Sequence, residues 1–181
     1  MNHFATHFPP YSRRLAYGLL AFITFLFLLA HPQVMPVGLS WNVTPSLPVG
    51  LYWHHHTNGA IQYDDKVCFH YNAPAWAAER DYLPQGVLVC KRVKGMPGDS
   101  LIRDGNHLQV CRAVGCESLG EILTTDREGR PAVAAVLPET IPTGYVYLGT
   151  TDVPNSFDSR YLGLIAISDI VRTIHPVMVW Q

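Results

Sequence analysis

An apolar run near the N-terminus constrains this chain more than any other feature. Residues 15–30 are almost wholly apolar, and Arg13 and Arg14 stand immediately before them. After the run, no Asp, Glu, Lys or Arg occurs until Asp64. A membrane-spanning helix needs about 20 apolar residues. The run is slightly shorter, so a spanning helix would also include a few residues of the segment that follows it. We therefore expect one transmembrane anchor at residues 15–34.

Two other interpretations of this run remain open. The basic flank and apolar core also fit a cleaved secretory signal, although no convincing Ala-x-Ala cleavage site follows. The run could instead form a helix buried in a protein core, but the polar residues before it and the long charge-free stretch behind it speak against that.

The charges beside the run predict its orientation. Because the basic residues precede the run and none follows closely, the positive-inside rule leaves residues 1–14 in the cytoplasm as a short tail. Residues 35–181 then form a domain outside the membrane. In a Gram-negative bacterium this is a single-pass inner-membrane protein with its domain in the periplasm.

Composition favours a β-rich domain. The chain has 14 Gly and 14 Pro among 181 residues, aromatic residues are plentiful, and long helical patterns are scarce. This combination is typical of short antiparallel strands joined by turns, so we expect a mainly β domain behind the anchor.

The net charge of −1 and the lack of a basic run argue against nucleic-acid binding through a charged face.

Several segments show strand or hairpin patterns. Residues 100–114 resemble a hairpin with its turn at Asp104 and Gly105, and residues 117–138 look like an inserted loop with room for a short strand. Apolar patterning predicts further strands at residues 66–72, 86–93, 144–149 and 166–180.

The cysteines and histidines indicate disulfide chemistry rather than a metal site. Cys111 and Cys116 are close enough to form a small disulfide-closed loop in an oxidising compartment. Cys68 and Cys90 lie in apolar strand-like segments, and we expect buried free thiols there. No Cys-x-x-Cys pair exists, and the consecutive histidines at 54–56 point different ways on an extended chain, so we expect a solvated or membrane-proximal face, no metal and no cofactor.

A serine stands between two prolines shortly after the apolar run. Ser46 lies in the segment Thr44-Pro45-Ser46-Leu47-Pro48. Proline pushes the residue before it toward extended geometry, so the residues on either side of Ser46 are both constrained. Such a segment can present a hydroxyl rigidly, although an ordinary irregular linker would have the same composition.

A lysine shares an apolar strand face. Lys91 alternates with Val87, Val89 and Val93, so period-two geometry puts all four side chains on one side of the strand. The amine either snorkels to solvent or is buried and neutral. A buried neutral lysine can accept the proton of a serine hydroxyl, which is otherwise a weak nucleophile. These residues predict a Ser-Lys dyad with Ser46 as nucleophile and Lys91 as general base.

The oxyanion of such a reaction needs hydrogen-bond donors. The backbone N–H of Ser46 is the natural first donor. The hydroxyl of Thr44, two residues earlier and on the same side of an extended segment, is the second that we predict. The reaction would be acyl transfer, with an acyl-enzyme on Ser46 that water then clears.

The order of these motifs resembles the signal peptidase I (S26) family of membrane-bound serine proteases. An anchor and a nucleophile segment are followed by Lys-Arg-Val-x-Gly-x-Pro-Gly-Asp at residues 91–99 and Asn-Ser-Phe-Asp-Ser-Arg-Tyr-x-Gly at residues 155–163. The nucleophile segment, residues 42–52, is most similar to the TraF-type peptidases of conjugative transfer systems. The resemblance covers residues 42–163, except that no motif aligns the segment between Cys116 and Pro138.

The resemblance implies roles for residues around the dyad. It assigns the base to Lys91 and not to Lys94, which has no apolar register to bury it. It also implies that Ser156 orients the Lys91 amine, and that Asp158 and Arg160 form an ion pair supporting the site. The family's usual Gly-Asp-Asn before this last motif is replaced here by Gly-Thr-Thr-Asp-Val-Pro-Asn.

The resemblance further implies an antiparallel, signal-peptidase-like catalytic fold and a substrate. The substrate would be an exported precursor, foremost the propilin of a conjugative, type IV-like system, and some members of that branch also close the pilin into a ring. The partners would be this precursor, the lipid bilayer and other transfer components. Two alternatives stay open, a general type I signal peptidase and a non-catalytic assembly scaffold of the mating apparatus.

Overall fold

The computed structural model describes residues 10–30, 37–57 and 60–180. Residues 1–9 of the predicted tail and residues 31–34 of the predicted anchor lie outside the described residues. The chain divides into two compact units, Met1–Gly38 and Leu39–Gln181. The elements are α1 (Pro10–Ala30), β1 (Val37–Asn42), β2 (Val49–His56), β3 (Lys66–His70), α2 (Ala75–Ala78), β4 (Leu88–Gly95), β5 (Ser100–Asp104), β6 (His107–Arg112), β7 (Gly115–Glu121), β8 (Tyr145–Gly149), α3 (Ser159–Leu162), β9 (Ile165–Ala166) and β10 (Ile170–Trp180).

The first unit contains the helix α1, which has 21 residues and begins at Pro10. Proline is well suited to a first helical turn, because its missing N–H would have no partner there. The apolar residues between Leu15 and Leu26 are exposed. Among the described residues, no helix combines the length and hydropathy that a membrane crossing requires. The predicted anchor is therefore not shown.

The second unit is built on two antiparallel sheets. The larger has seven strands in the order β1-β2-β10-β3-β4-β8-β9, and the smaller has three in the order β5-β6-β7. The long strand β10 pairs antiparallel with both β2 and β3, and β4 pairs antiparallel with β3 and β8. The predicted mainly β, antiparallel fold is confirmed. Residues far apart in the sequence, on β1, β4 and the segment before α3, are brought to the same part of the unit.

The hairpin prediction is right in place but wrong by one residue at its turn. Asp104 pairs with His107, so the two turn residues are Gly105 and Asn106. Gly105 has a φ of 59°, a left-handed conformation that favours glycine and is typical of tight hairpin turns. The segment interpreted as an inserted loop contributes β7 at its start, because Gly115–Glu121 pairs along β6.

The second unit has three clusters of buried apolar residues. One joins the smaller sheet to β8 and α3 and is formed by Leu101, Leu108, Val110, Leu119, Ile122, Ile141, Tyr147 and Tyr161. The second lies on the larger sheet and is formed by Ile61, Val67, Phe69, Val93, Val146, Leu148 and Ile170. The third packs below the Pro-rich segment and consists of Leu47, Tyr52, Cys68 and Ile174.

Both cysteine pairs are disulfides. Cys111–Cys116 is bonded as predicted. The expectation of free thiols at Cys68 and Cys90 was wrong, since these residues form the second disulfide. They lie directly opposite each other where β3 and β4 pair, with Cα atoms 4.0 Å apart. This register places the sulfurs together although the residues are 22 apart in the sequence.

We expect the two disulfides to differ in their effect on stability. Removing Cys68–Cys90 as a double alanine variant should lower the free energy of unfolding by about 3 kcal/mol, because it opens the longer loop. The matched removal of Cys111–Cys116 should cost about 2 kcal/mol on the same entropic argument. Urea unfolding of both variants measures this difference, and an equal or reversed order would contradict the loop-length argument.

Candidate active site

The turn that carries Ser46 is closed by an asparagine. The Asn42 side-chain amide donates hydrogen bonds to three backbone carbonyls, those of Thr44 (2.8 Å), Leu47 (3.0 Å) and Pro48 (3.0 Å). Residues 44–47 therefore form a turn between β1 and β2 rather than the extended segment that the prolines led us to expect. No role was predicted for Asn42, although a side chain with two N–H donors just before a Pro-rich segment indicates that it can bond the backbone there.

The same turn is fixed to the core from below. Leu47 is only 2% exposed and packs with Tyr52, Cys68 and Ile174. The fully buried Tyr52 donates its hydroxyl to the Pro48 carbonyl at 2.7 Å. The hydrogen bonds of Asn42 and Tyr52 together hold the backbone around the candidate nucleophile before any substrate arrives. Catalysis requires such preorganisation.

The candidate base is buried beside a serine. Lys91 lies on β4 opposite Val67 of β3 and is 6% exposed. Its Nζ donates a hydrogen bond to Ser156 Oγ at 3.0 Å. Burial lowers the pKa of Lys91 because it disfavours the charged amine; the Asp158 carboxylate opposes this and Arg160 adds to it. A lowered pKa increases the fraction of neutral amine available near neutral pH.

One groove brings the predicted residues together. Ser46, Lys91 and Ser156 all line a groove of about 600 Å³ with largely apolar walls. Within the described chain no hydrogen bond joins Ser46 to Lys91, and the polar side-chain contact of Ser46 Oγ is with Thr44 Oγ1 at 3.5 Å. In a site without substrate, such bonds are often long and tighten when substrate binds. The serine hydroxyl is thus available to an incoming carbonyl.

The two predicted oxyanion donors differ in availability. The backbone N–H of Ser46 has no acceptor in the described part of the chain. The Thr44 hydroxyl instead donates to Asn42 Oδ1 at 3.0 Å, and the Thr44 N–H donates to the same oxygen at 3.3 Å. The amide of Ser46 is therefore the ready donor, while the Thr44 hydroxyl must rotate away from Asn42 to serve as the second.

Asp158 and Arg160 form a buried pair behind Ser156. Arg160, 1% exposed, donates to both carboxylate oxygens of Asp158, at 2.9 and 2.8 Å. Its remaining N–H groups donate to the carbonyls of Ser156 (3.2 Å), Pro154 (3.1 Å) and Glu121 (2.8 Å). Burial tends to lower the pKa of Arg160, but its bonds with Asp158 outweigh this and raise it. The pair therefore holds the backbone that presents Ser156 to the candidate base.

The second lysine of the motif is also buried, contrary to expectation, but is paired with carboxylates. Lys94 is 9% exposed, and its Nζ lies 2.7 Å from Glu117 and 3.1 Å from Asp64. Burial alone would lower the pKa of Lys94, but these carboxylates reverse the effect and raise it. Among the described residues Lys91 has no such ion pair. Charge pairing thus stabilises the charged form of Lys94, whereas burial without such pairing favours the neutral form of Lys91.

The consecutive histidines are only partly solvated, since His56 is exposed as expected whereas His54 and His55 are half-buried. His54 lines the groove, and burial together with Arg172 lowers its pKa. His55 is half-buried and lies 5.3 Å from the rings of both Trp53 and His175, which stack directly on each other at 4.4 Å. No group of three or more His, Cys, Asp or Glu side chains in the described ranges is placed to hold a metal ion.

The hydrogen bond between Lys91 and Ser156 predicts a specific kinetic effect. Ser156→Ala should lower kcat by about tenfold or more, because a hydrogen bond to an ionisable group is worth roughly 1.5–3 kcal/mol. KM should change little, since Ser156 orients the amine rather than the substrate. Steady-state kinetics with a peptide substrate checks this, and Ser118→Ala, an exposed serine of β7, is the matched control. A change in KM alone would contradict the orienting role.

Comparison with known proteins agrees with the motifs. The family model described as signal peptidase, peptidase S26 matches residues 12–180. Two similar relatives are a conjugal transfer protein TraF of Agrobacterium fabrum (strain C58 / ATCC 33970), 31% identical over 161 residues, and a plasmid transfer protein TraF of Escherichia coli, 30% identical over 159 residues. These alignments cover 80% and 79% of this chain, and 84% of each relative.

Among solved structures, a signal peptidase I from Enterococcus faecalis V583 matches 67% of this chain and 97% of its own, at 20% identity. Its TM-score of 0.34 is too low to carry an argument. The family match extends over nearly the whole chain and includes every residue of the groove described above. The chain belongs to the signal peptidase, peptidase S26 family.

Proposed function

We propose that this chain is a Ser-Lys endopeptidase that processes an exported precursor in a conjugative transfer system. The observation that carries the proposal is the burial of Lys91, which forms no ion pair with any described carboxylate, in the groove that Ser46 also lines. A serine peptidase needs a base that is neutral near physiological pH, and a buried, unpaired lysine meets this requirement. Membership of the S26 peptidase family supports the same reaction class.

The mechanism follows from these positions. Neutral Lys91 accepts the hydroxyl proton of Ser46 as Oγ attacks the scissile carbonyl, and the Ser46 N–H donates to the developing oxyanion. Lys91 then gives the proton to the leaving amine, which departs and leaves an acyl ester on Ser46. Water, activated by Lys91, hydrolyses the ester and restores the serine. Throughout, Ser156 keeps the amine directed into the groove.

The substrate class rests on the relatives. Similar proteins are named conjugal and plasmid transfer proteins, which supports a role for this chain beside other components of a transfer system. Within such a system we propose a propilin-like exported precursor as the substrate. If an amine of the same substrate, rather than water, attacks the acyl-enzyme, the product is a ring.

We further propose that the catalytic domain lies outside the bacterial inner membrane. The two disulfides support an oxidising compartment, and the basic pair before the apolar run supports a cytoplasmic N-terminus. Digestion of spheroplasts with an added protease tests this location. The domain should be degraded without lysis of the cells, and protection until lysis would contradict an external position.

Co-expression with a propilin tests the proposed function. The intact mass of the propilin should fall to that of a processed product with the wild-type chain and stay unchanged with Ser46→Ala, while Ser118→Ala retains processing. A product lighter than the linear peptide by one water would add ring closure. Processing of many unrelated precursors would instead favour a general signal peptidase, and transfer activity that survives Ser46→Ala would favour the scaffold.

A further inference from the structure

A second cavity adjoins the groove that contains Ser46 and Lys91. It measures about 760 Å³ and shares Leu83, Arg127, Asn155 and Phe157 with the groove. The cavity is therefore a direct neighbour of the groove, and a peptide bound in the groove passes beside their shared lining. No residue of the proposed reaction lies in the second cavity, so its lining is free to select the substrate.

One wall of this cavity is aromatic. Trp76, Tyr82, Phe157 and Tyr161 pack there edge to face or stacked, with ring centroids between 5.4 and 6.4 Å apart. Mutually packed rings are rigid and present a preformed apolar surface. This wall suits an apolar substrate side chain.

Arg127 is the cation at the junction of the two spaces. It is exposed, and in the described part of the chain no carboxylate lies within ion-pair distance of it. The acidic residues on either side of it in the sequence are engaged elsewhere: Asp126 pairs with Arg130 at 2.7 Å, and Glu128 pairs with Arg130 at 3.0 Å. The Arg127 charge is thus left for a partner from outside the chain.

Asn155 fixes the direction of this guanidinium. With its amide oxygen turned toward Arg127, Asn155 accepts bonds from Nη2 at 2.7 Å and Nε at 2.6 Å. Nη1 and the second hydrogen of Nη2 remain to donate. Asn155 directly precedes Ser156, the residue that accepts the hydrogen bond of Lys91. Arg127 is therefore tied to the same short segment that orients the candidate base.

We propose that Arg127 binds a carboxylate of the substrate near the scissile bond, and that the aromatic wall takes a neighbouring apolar side chain. This inference rests on the proposed peptidase function and deepens it by naming a specificity determinant. Guanidinium donors match carboxylate geometry closely, so an acidic residue or a free C-terminal carboxylate fits the site. Arg127 does not take part in proton transfer.

The test measures binding separately from cleavage. Fluorescently labelled, alanine-rich peptides carry Gln throughout or one Glu at successive positions, and each is made with a C-terminal carboxylate or amide. Binding is measured by anisotropy to Ser46→Ala, which leaves the peptides intact. Either the peptide with Glu at one position or the peptide with a free C-terminal carboxylate should bind about fivefold tighter than the matching neutral peptide. An effect of this size is expected for a partly exposed ion pair. If the Glu peptide binds tighter than the Gln peptide, the carboxylate is a side chain; if the peptide with a free C-terminus binds tighter than its amide, the carboxylate is the C-terminus.

Substitutions of Arg127 give the decisive comparison. In the Ser46→Ala background, Arg127→Gln should bring the ratio of affinities for charged and neutral peptides close to one. Arg127→Glu should reverse the preference toward a peptide with Lys at the responding position. Arg103→Gln, which removes an exposed arginine of β5 outside both cavities, should leave the ratio unchanged. Salt should weaken the preference of the parent protein, because screening acts on partly exposed charges.

Some outcomes would overturn the inference. Equal binding of all peptides, no binding of any, or a preference that persists in Arg127→Gln would each do so. Cleavage of the same peptides by the wild-type chain is scored independently. If cleavage occurs without any charge preference in binding, the carboxylate site alone is rejected. If an Arg127-dependent preference is found without cleavage, the site stands and the proposed peptidase function fails.

Discussion

Lys91→Ala should lower kcat by about 10⁴- to 10⁶-fold, the range seen when one member of the catalytic unit is removed from a serine peptidase. The reason is that Ser46 then has no base to accept its proton, and the Ser46 N–H can stabilise only the small fraction of attack that still occurs. The protein should stay folded, because an alanine in place of a buried, unpaired amine leaves no charge behind. Kinetics of peptide cleavage measures the loss.

Lys94→Ala is the matched control for this substitution. It lies three residues away on the same strand and is also buried, but its charge is paired with Glu117 and Asp64. Removing it should cost about 1 kcal/mol of stability, because both carboxylates are partly exposed. Activity should stay within a few fold of wild type. Equal losses in the two variants would contradict the assignment of Lys91 as base.

Arg160→Ala should lower the free energy of unfolding by about 3–5 kcal/mol. The substitution leaves the carboxylate of Asp158, which is 1% exposed, without its partner. It also removes the donors to three backbone carbonyls, including that of Ser156. Denaturant unfolding measures the effect, and cleavage should weaken as well since the segment that orients Lys91 loosens.

Two variants serve as controls for the buried pair. Glu121→Gln alters an exposed contact between the Glu121 carboxylate and His107, in which both side chains are more than half exposed, and should cost well under 1 kcal/mol. Asp158→Ala/Arg160→Ala should cost less than the sum of the two single changes, because the double variant leaves no unpaired buried charge. A loss below 1 kcal/mol for Arg160→Ala would refute a structural role.

Local sequence patterns were sufficient for part of this structure. The alternation of Lys91 with valines predicted a strand, which the structure has, but left open whether the amine reaches solvent or is buried; the structure buries it. The close spacing of Cys111 and Cys116 predicted their disulfide. In each case the residues concerned are neighbours along the chain or along one strand. The alternation of side chains and the number of residues between the cysteines are therefore enough for the prediction.

Contacts between distant segments could not be predicted in this way. Cys68 and Cys90 meet only because β3 and β4 pair in one register, and the sequence does not specify that register. Lys94 is buried because its carboxylate partners come from β7 and from the loop before β3. The Asn42 amide reaches three carbonyls only after the chain has turned at Pro45 and Ser46.

The pH dependence of Ser46 acylation by a small activated ester tests the dyad most directly, with the modified residue located by peptide mapping. We predict that the acyl group is found on Ser46 and that its rate of formation rises with pH. The rise should follow deprotonation of Lys91, with a midpoint below the ordinary lysine value of 10.5 because burial lowers this pKa. Lys91→Ala should lack the rise. Acylation of another residue, or an unchanged profile in Lys91→Ala, would contradict the Ser46–Lys91 mechanism.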